Sequence, residues 1–335
     1  MIVRITGFVG MALVVLAASV LCGAEEKSAP WAGPQAGRGP LKVFVLAGQS
    51  NMEGQAVADL EGKHYNEGKG TLMSLLRDPA KAPLVRHLRK GDAWTVRDDV
   101  WVYFQAASGL KRGALSMGFA GYGGKHHFGP ELQFGHVMGD ALDNQVLIIK
   151  TAWGGKSLFK EFRPPSSGGE TGEYYTKMIQ EIRECLGDIK KHFPAYDGKG
   201  YELAGLVWYQ GWNDGCGPKG AVEEYEQNLL NLIADFRKEF KSPRLPVVVG
   251  ELTGPWVEAT GRWADLRRAQ AAAARNAKPT GSVVFVETHD FVRKPEDSPN
   301  PSHGHHEFGN AETYFLVGQA LGEGMKKLVA GRTER

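Results

Sequence analysis

Five short runs of apolar, mostly β-branched residues recur along this chain, at Lys42–Ala47, Val146–Lys150, Ala204–Tyr209, Pro246–Glu251 and Ser282–Glu287. Each is bounded by Gly, Pro or charged residues, and none alternates cleanly between apolar and polar, which is the pattern of strands covered on both faces. Between them, helical periodicity spans Pro130–Ala141, Glu173–Lys191, Val222–Phe240, Arg262–Asn276 and Ala311–Leu328. Neighbouring parallel strands need a long crossover, usually a helix. The alternation therefore predicts an α/β fold: a doubly wound, mostly parallel sheet flanked by helices, a flavodoxin-like three-layer sandwich.

The ends and one internal segment stand apart. Residues 1–24 carry Arg4, an apolar stretch from Phe8 to Leu21 and a small-residue site at Cys22-Gly23-Ala24, the pattern of a secretory signal peptide. Its apolar stretch of about 14 residues falls short of the roughly 20 needed to span a bilayer, so no membrane partner is expected after cleavage. Residues 25–41 are rich in Pro, Gly and Ala and read as an irregular arm. Residues 42–330 then form a single domain, with an elaborated insertion at about 53–129 that lacks sustained periodicity and shapes the substrate cleft. Signal removal leaves Cys185 and Cys216, compatible with one disulfide or two free thiols. The formal charge is +2 with acids and bases mixed, which gives no nucleic-acid surface.

Chemistry is expected where strands end. The first strand delivers Gly48-Gln49-Ser50-Asn51-Met52, a tight turn that exposes one hydroxyl beside free backbone N–H groups and so suits a nucleophile. The second is followed by Thr151-Ala152-Trp153-Gly154-Gly155, whose glycines leave N–H donors accessible. The third ends in Tyr209-Gln210-Gly211-Trp212-Asn213-Asp214, where the amides of Gln210 or Asn213 suit a developing oxyanion and the aromatic residues, with Trp153, suit a sugar face. Before the last helix, His303-Gly304-His305-His306-Glu307 offers a general base. These histidines with His289 and Asp290 include metal-ligand types, yet their spacing matches no zinc pattern, so no metal and no cofactor is expected.

Taken in order, these blocks resemble the SGNH-hydrolase superfamily, and within it the sialate O-acetylesterase and acetylxylan-esterase-like carbohydrate esterases. The resemblance implies a nucleophile at Ser50 and an oxyanion hole from the Ser50 N–H, Gly154 or Gly155, and Gln210 or Asn213. It implies stacking faces at Trp153, Tyr209 and Trp212, and a base at His306, with His303 and His305 as alternatives. The last block departs from the family, which usually places the triad acid three residues before the histidine; that position here is His303. Asp297 is the nearest acidic candidate, followed by Glu307 and Asp290, with a Ser-His dyad as the remaining arrangement.

The implied activity is removal of O-acetyl groups from a carbohydrate, such as an acetylated polysaccharide or a sialic-acid-like glycan, by a secreted or periplasmic serine esterase. Two other readings remain: an esterase for another acyl or aryl ester, and a non-catalytic carbohydrate-binding protein with a decayed site.

Overall fold

The computed structural model describes residues 34–37 and 39–333. The expected signal peptide and most of the N-terminal arm lie outside the described residues; the described part of the arm has no helix or strand before Pro40.

Seven strands form the central sheet: β1 (Leu41–Gly48), β2 (Arg97–Ala106), β3 (Gly109–Leu115), β4 (Val146–Ala152), β5 (Tyr201–Tyr209), β6 (Val247–Gly250) and β7 (Val283–Val286). Their spatial order is β7-β6-β5-β1-β4-β2-β3, parallel throughout except for the β2/β3 hairpin at one edge. Strand β1 lies at the centre, with β4 on one side and β5 on the other. The side on which the chain adds strands switches there, and the crevice beyond its carboxyl end is where ligands of doubly wound folds bind.

Residues of β1 alternate between two cores, because successive side chains of a strand point to opposite faces. Val43, Val45 and Ala47 join one apolar cluster, and Phe44 and Leu46 the other. The first cluster is closed by α3 (Glu173–Gly187), α4 (Tyr225–Glu239) and α5 (Gly261–Asn276); the second by α2 (Glu131–Ala141) and α6 (Ala311–Thr333). In α3 the buried Tyr175, Met178, Ile179, Ile182 and Cys185 follow helical spacing, so one stripe faces the sheet. The result is the expected three-layer α/β sandwich. Cys185 is buried and Cys216 exposed, and both are free thiols.

Two elements differ from the sequence reading. The segment expected as an insertion supplies β2 and β3, and β2 extends the parallel part of the sheet beside β4. Its Val100–Phe104 run is buried on both faces, so it shows no alternation. The helix expected over Glu173–Lys191 stops at Gly187, because the Asp188 side chain accepts from Lys191 N and starts a separate turn, Ile189–His192.

Candidate active site

Strands β1, β4 and β5 end in step: Gly48 pairs with Ala152 on one side and with Tyr209 on the other. The three sequence blocks that follow are therefore set side by side along one edge of the sheet. Glycine is required at position 48, since a Cβ there would fall 2.1 Å from the Tyr209 carbonyl oxygen.

Ser50 opens a one-turn helix, α1 (Ser50–Glu53), and is only 5 % exposed. The first N–H groups of a helix have no intrahelical acceptor, so the turn presents donors beside the hydroxyl. Gln49 locks this turn to the block after β5: its Oε1 accepts from Gly211 N at 3.0 Å and its Nε2 donates to Asn213 Oδ1 at 3.1 Å. That bond uses the Asn213 oxygen and leaves its Nδ2 as a donor. A Cβ at Gly154 would stand 2.4 Å from the Tyr122 hydroxyl, 3.1 Å from Glu53 Oε2 and 3.5 Å from Ser50 Cβ, so the glycine block lies directly against the serine. Burial raises the pKa of the Glu53 carboxyl, opposed by the Tyr122 hydroxyl, Lys150 and the Gly154 N–H, which favour its charged form. Glu53 Oε2 nonetheless forms no well-aligned hydrogen bond.

The histidine loop, Gly304–Gly309, is tied to α1 by long-range bonds. Asn51 Nδ2 donates to His305 O at 3.1 Å, and the Tyr314 hydroxyl donates to Asn51 Oδ1 at 2.5 Å and to His306 O at 3.4 Å. Glu307 and Phe308 both take left-handed backbone (φ +48° and +56°), each a conformation that costs of order 1–3 kcal/mol and persists only when its surroundings impose it. The His306 ring lies 6.2 Å from Tyr122 and 4.1 Å from His305. Burial, then the neighbouring His305 and His303, push the His306 pKa down to about 3, so its imidazole is neutral at physiological pH.

Ser50, Gly154, Asn213 and His306 are thus assembled along one edge, while other expected residues lie elsewhere. Gln210 is fully buried and spends both amide hydrogens inside, on Lys156 O at 3.1 Å and Asp214 Oδ2 at 2.6 Å. It braces the block rather than facing a substrate. Tyr209 is enclosed in one apolar core, and Trp153 packs in the other against Phe162 and Tyr174, so neither offers a stacking face. Trp212 is half-buried and remains accessible. Asp297 is an exposed residue whose carbonyl accepts from Asn310 Nδ2; no hydrogen bond joins it to His306. Glu307 is buried and held up at about 8, first by burial and then by Glu251, and Asp290 lies beside His289 at 3.8 Å. Among the described residues no carboxylate hydrogen-bonds the His306 ring, and no three His, Cys, Asp or Glu side chains converge to hold a metal ion. No helix among them is long and apolar enough to cross a membrane.

Two supporting residues went unassigned in the sequence. Asp214, its pKa raised by burial to about 6, accepts from Leu158 N, Phe159 N and Gln210 and so joins the loop after β4 to the block after β5. Lys150, fully buried in β4, donates to Glu131 Oε2 at 2.8 Å, to Glu53 O at 2.9 Å and to Phe119 O at 2.8 Å. A lysine closing an apolar run was the available signal for it.

Comparison with known proteins bears on the family and the fold. The profile of a family described as carbohydrate esterase, sialic acid-specific acetylesterase, matches residues 40–315. A probable carbohydrate esterase of Arabidopsis thaliana is 24 % identical over 212 residues, covering 62 % of this chain and 68 % of that protein. Its crystal structure superposes with a TM-score of 0.54 at 20 % identity, over 85 % of this chain and 98 % of that one. A carbohydrate acetylesterase of Xanthomonas citri superposes with a TM-score of 0.54 at 14 % identity, over 87 % of this chain and 57 % of that one.

Proposed function

Since the chain belongs to the sialic acid-specific acetylesterase family of carbohydrate esterases, we propose that it is an exported serine esterase that removes O-acetyl groups from a glycan through an acyl-enzyme on Ser50. The observation that carries this reading is the pair of links, through Asn51 and Tyr314, that hold the His306 loop on the helix beginning at Ser50.

In this mechanism Ser50 Oγ attacks the acetyl carbonyl while the neutral His306 imidazole takes its proton. The carbonyl oxygen becomes an oxyanion, met by the Ser50 N–H and Asn213 Nδ2, with the Gly154 or Gly155 N–H as the third donor. Collapse breaks the bond to the sugar oxygen, which receives the proton from His306 and leaves as an alcohol. Water then attacks the acetyl-serine with His306 again as base, releasing acetate and restoring Ser50. A triad acid would hold the imidazole's tautomer and orientation. Among the described residues no carboxylate takes that role; the loop's main-chain bonds, His306 N and Phe308 N to His303 O and Asn300 N to Phe308 O, fix the backbone that carries the ring. Export rests on the signal pattern of residues 1–24 and fits a glycan met outside the cytoplasm.

The test is acetate release from p-nitrophenyl acetate and from an acetylated xylan, with Ser50→Ala and a chelator-treated sample beside the unaltered chain. Turnover abolished only in the variant supports the reading. Loss on chelation, or turnover that survives in the variant, overturns it.

A further inference from the structure

Three indoles meet beside the histidine loop, brought there by three separate segments. Trp212 follows β5, Trp256 lies in the loop after β6, and Trp263 sits in the first turn of α5. Trp212 stacks on Trp263 at 4.6 Å between ring centroids and on Trp256 at 5.7 Å with an interplanar angle of 12°; Trp256 and Trp263 are 5.0 Å apart.

The backbone makes room for these rings. A Cβ at Gly215 would stand 2.1 Å from Trp263, and one at Gly254 would stand 2.4 Å from Trp212 and 2.6 Å from Trp256. Trp256 is 37 % exposed and its neighbour Val257 51 %. The loop is nevertheless braced, since Arg267 donates to Trp256 O, Val257 O and Thr253 Oγ1 and is itself paired with Glu251. An exposed indole on a fixed backbone presents an apolar face without the ordering cost of a mobile one. The group also runs into the esterase centre: Trp212 is 6.0 Å from His305, whose ring is 4.1 Å from His306.

From this we propose that Trp212, Trp256 and Trp263 form a sugar subsite that takes the pyranose ring next to the acetylated one in an oligo- or polysaccharide. The inference rests on the esterase reading above and adds where the rest of the substrate lies. A pyranose has an apolar C–H face that matches a flat indole, and hydroxyls at its rim that suit the adjacent His303 and His305. An acetyl group alone offers little surface. Binding on neighbouring rings is the available source of energy for placing its carbonyl at Ser50.

The test uses the full chain with Ser50→Ala, titrated with a panel of acetylated xylo-, manno- and sialyl-oligosaccharides and followed by tryptophan fluorescence. A saturable change is expected for at least one of them, with Kd raised at least tenfold by Trp256→Ala and less by Trp256→Phe, at unchanged circular dichroism. An unchanged Kd in Trp256→Ala, or no saturable change across the panel, overturns the subsite. Failure of the esterase reading is separate: it shows as absence of acetate release by the unaltered chain, which this titration does not require.

Discussion

Replacing Lys150 by Met keeps the volume of the side chain but removes a charge that is wholly enclosed. Its ammonium, which burial disfavours and Glu131 stabilises, makes three hydrogen bonds of 2.8–2.9 Å and lies 4.7 Å over the Phe104 ring. Without it, the equally enclosed Glu131 keeps only the Gly129 N–H bond at 2.9 Å. Phe119 O loses its donor, and Glu53 O retains only Gly121 N. Breaking a buried pair from one side costs about 3–5 kcal/mol, because the other charge stays buried without its partner. Urea unfolding of Lys150→Met should therefore show that loss in free energy as a lower midpoint at unchanged m-value. Adding Glu131→Gln removes the orphaned charge, so the double variant should regain about 1–3 kcal/mol over the single one. Since the same ammonium holds the end of α1, folded Lys150→Met should also turn over more slowly. A single-variant loss under about 1 kcal/mol, or a double variant as unstable as the two separate losses added together, would refute the reasoning.

Three further outcomes follow from the site. His306→Ala should lower kcat/KM by about a thousandfold or more, whereas His303→Ala should stay within about tenfold; the reverse order would assign the base to the wrong histidine. Because His306 is pushed down to about 3, it stays neutral well below the usual histidine range, so the acid limb of kcat/KM should fall below about pH 5. A midpoint near 6.5 would show an ordinary solvated imidazole. Glu307 keeps its proton in the folded state up to about pH 8, whereas the unfolded chain releases it near 4.5. Folded stability is thus lost as pH rises through that window, and Glu307→Gln should gain about 2–4 kcal/mol over the native chain at pH 8 relative to pH 5. Equal differences in Tm at the two pH values would contradict this.

The main strands were legible because a strand covered on both faces is a short run of uniform apolarity, as in Val43–Leu46 and Val247–Val249. Strand β2 has such a run, Val100–Phe104, but it is embedded among charged, aromatic and glycine-rich residues that obscure it. The turn at Ser50 was visible from a glycine placed at a strand end. Roles set by distant partners were not. Asn51 acts on a carbonyl 254 positions away, and Gln49 on an amide 164 positions away, separations that no local pattern encodes. For the same reason Tyr209 and Gln210 read as substrate-facing although they point inward. Their composition suits a site, and only the packed fold shows that Tyr209 is enclosed in an apolar core and that the Gln210 oxygens accept from Tyr225 of α4 and Gln270 of α5. Asp297 was chosen by proximity in sequence, but it ends an exposed turn, Pro295–Asp297, and no hydrogen bond joins it to His306.

The covalent intermediate offers the most direct test of the central claim. The native chain, mixed rapidly with p-nitrophenyl acetate, quenched in acid and digested, should yield a peptide spanning Gly48 to Met52 with one added acetyl group on Ser50. That adduct should be absent from Ser50→Ala and should persist longer in Asn213→Ala, where the oxyanion of deacylation loses a donor. Turnover with no acetyl on Ser50, or an acetyl carried by another residue at the rate of turnover, would contradict the account.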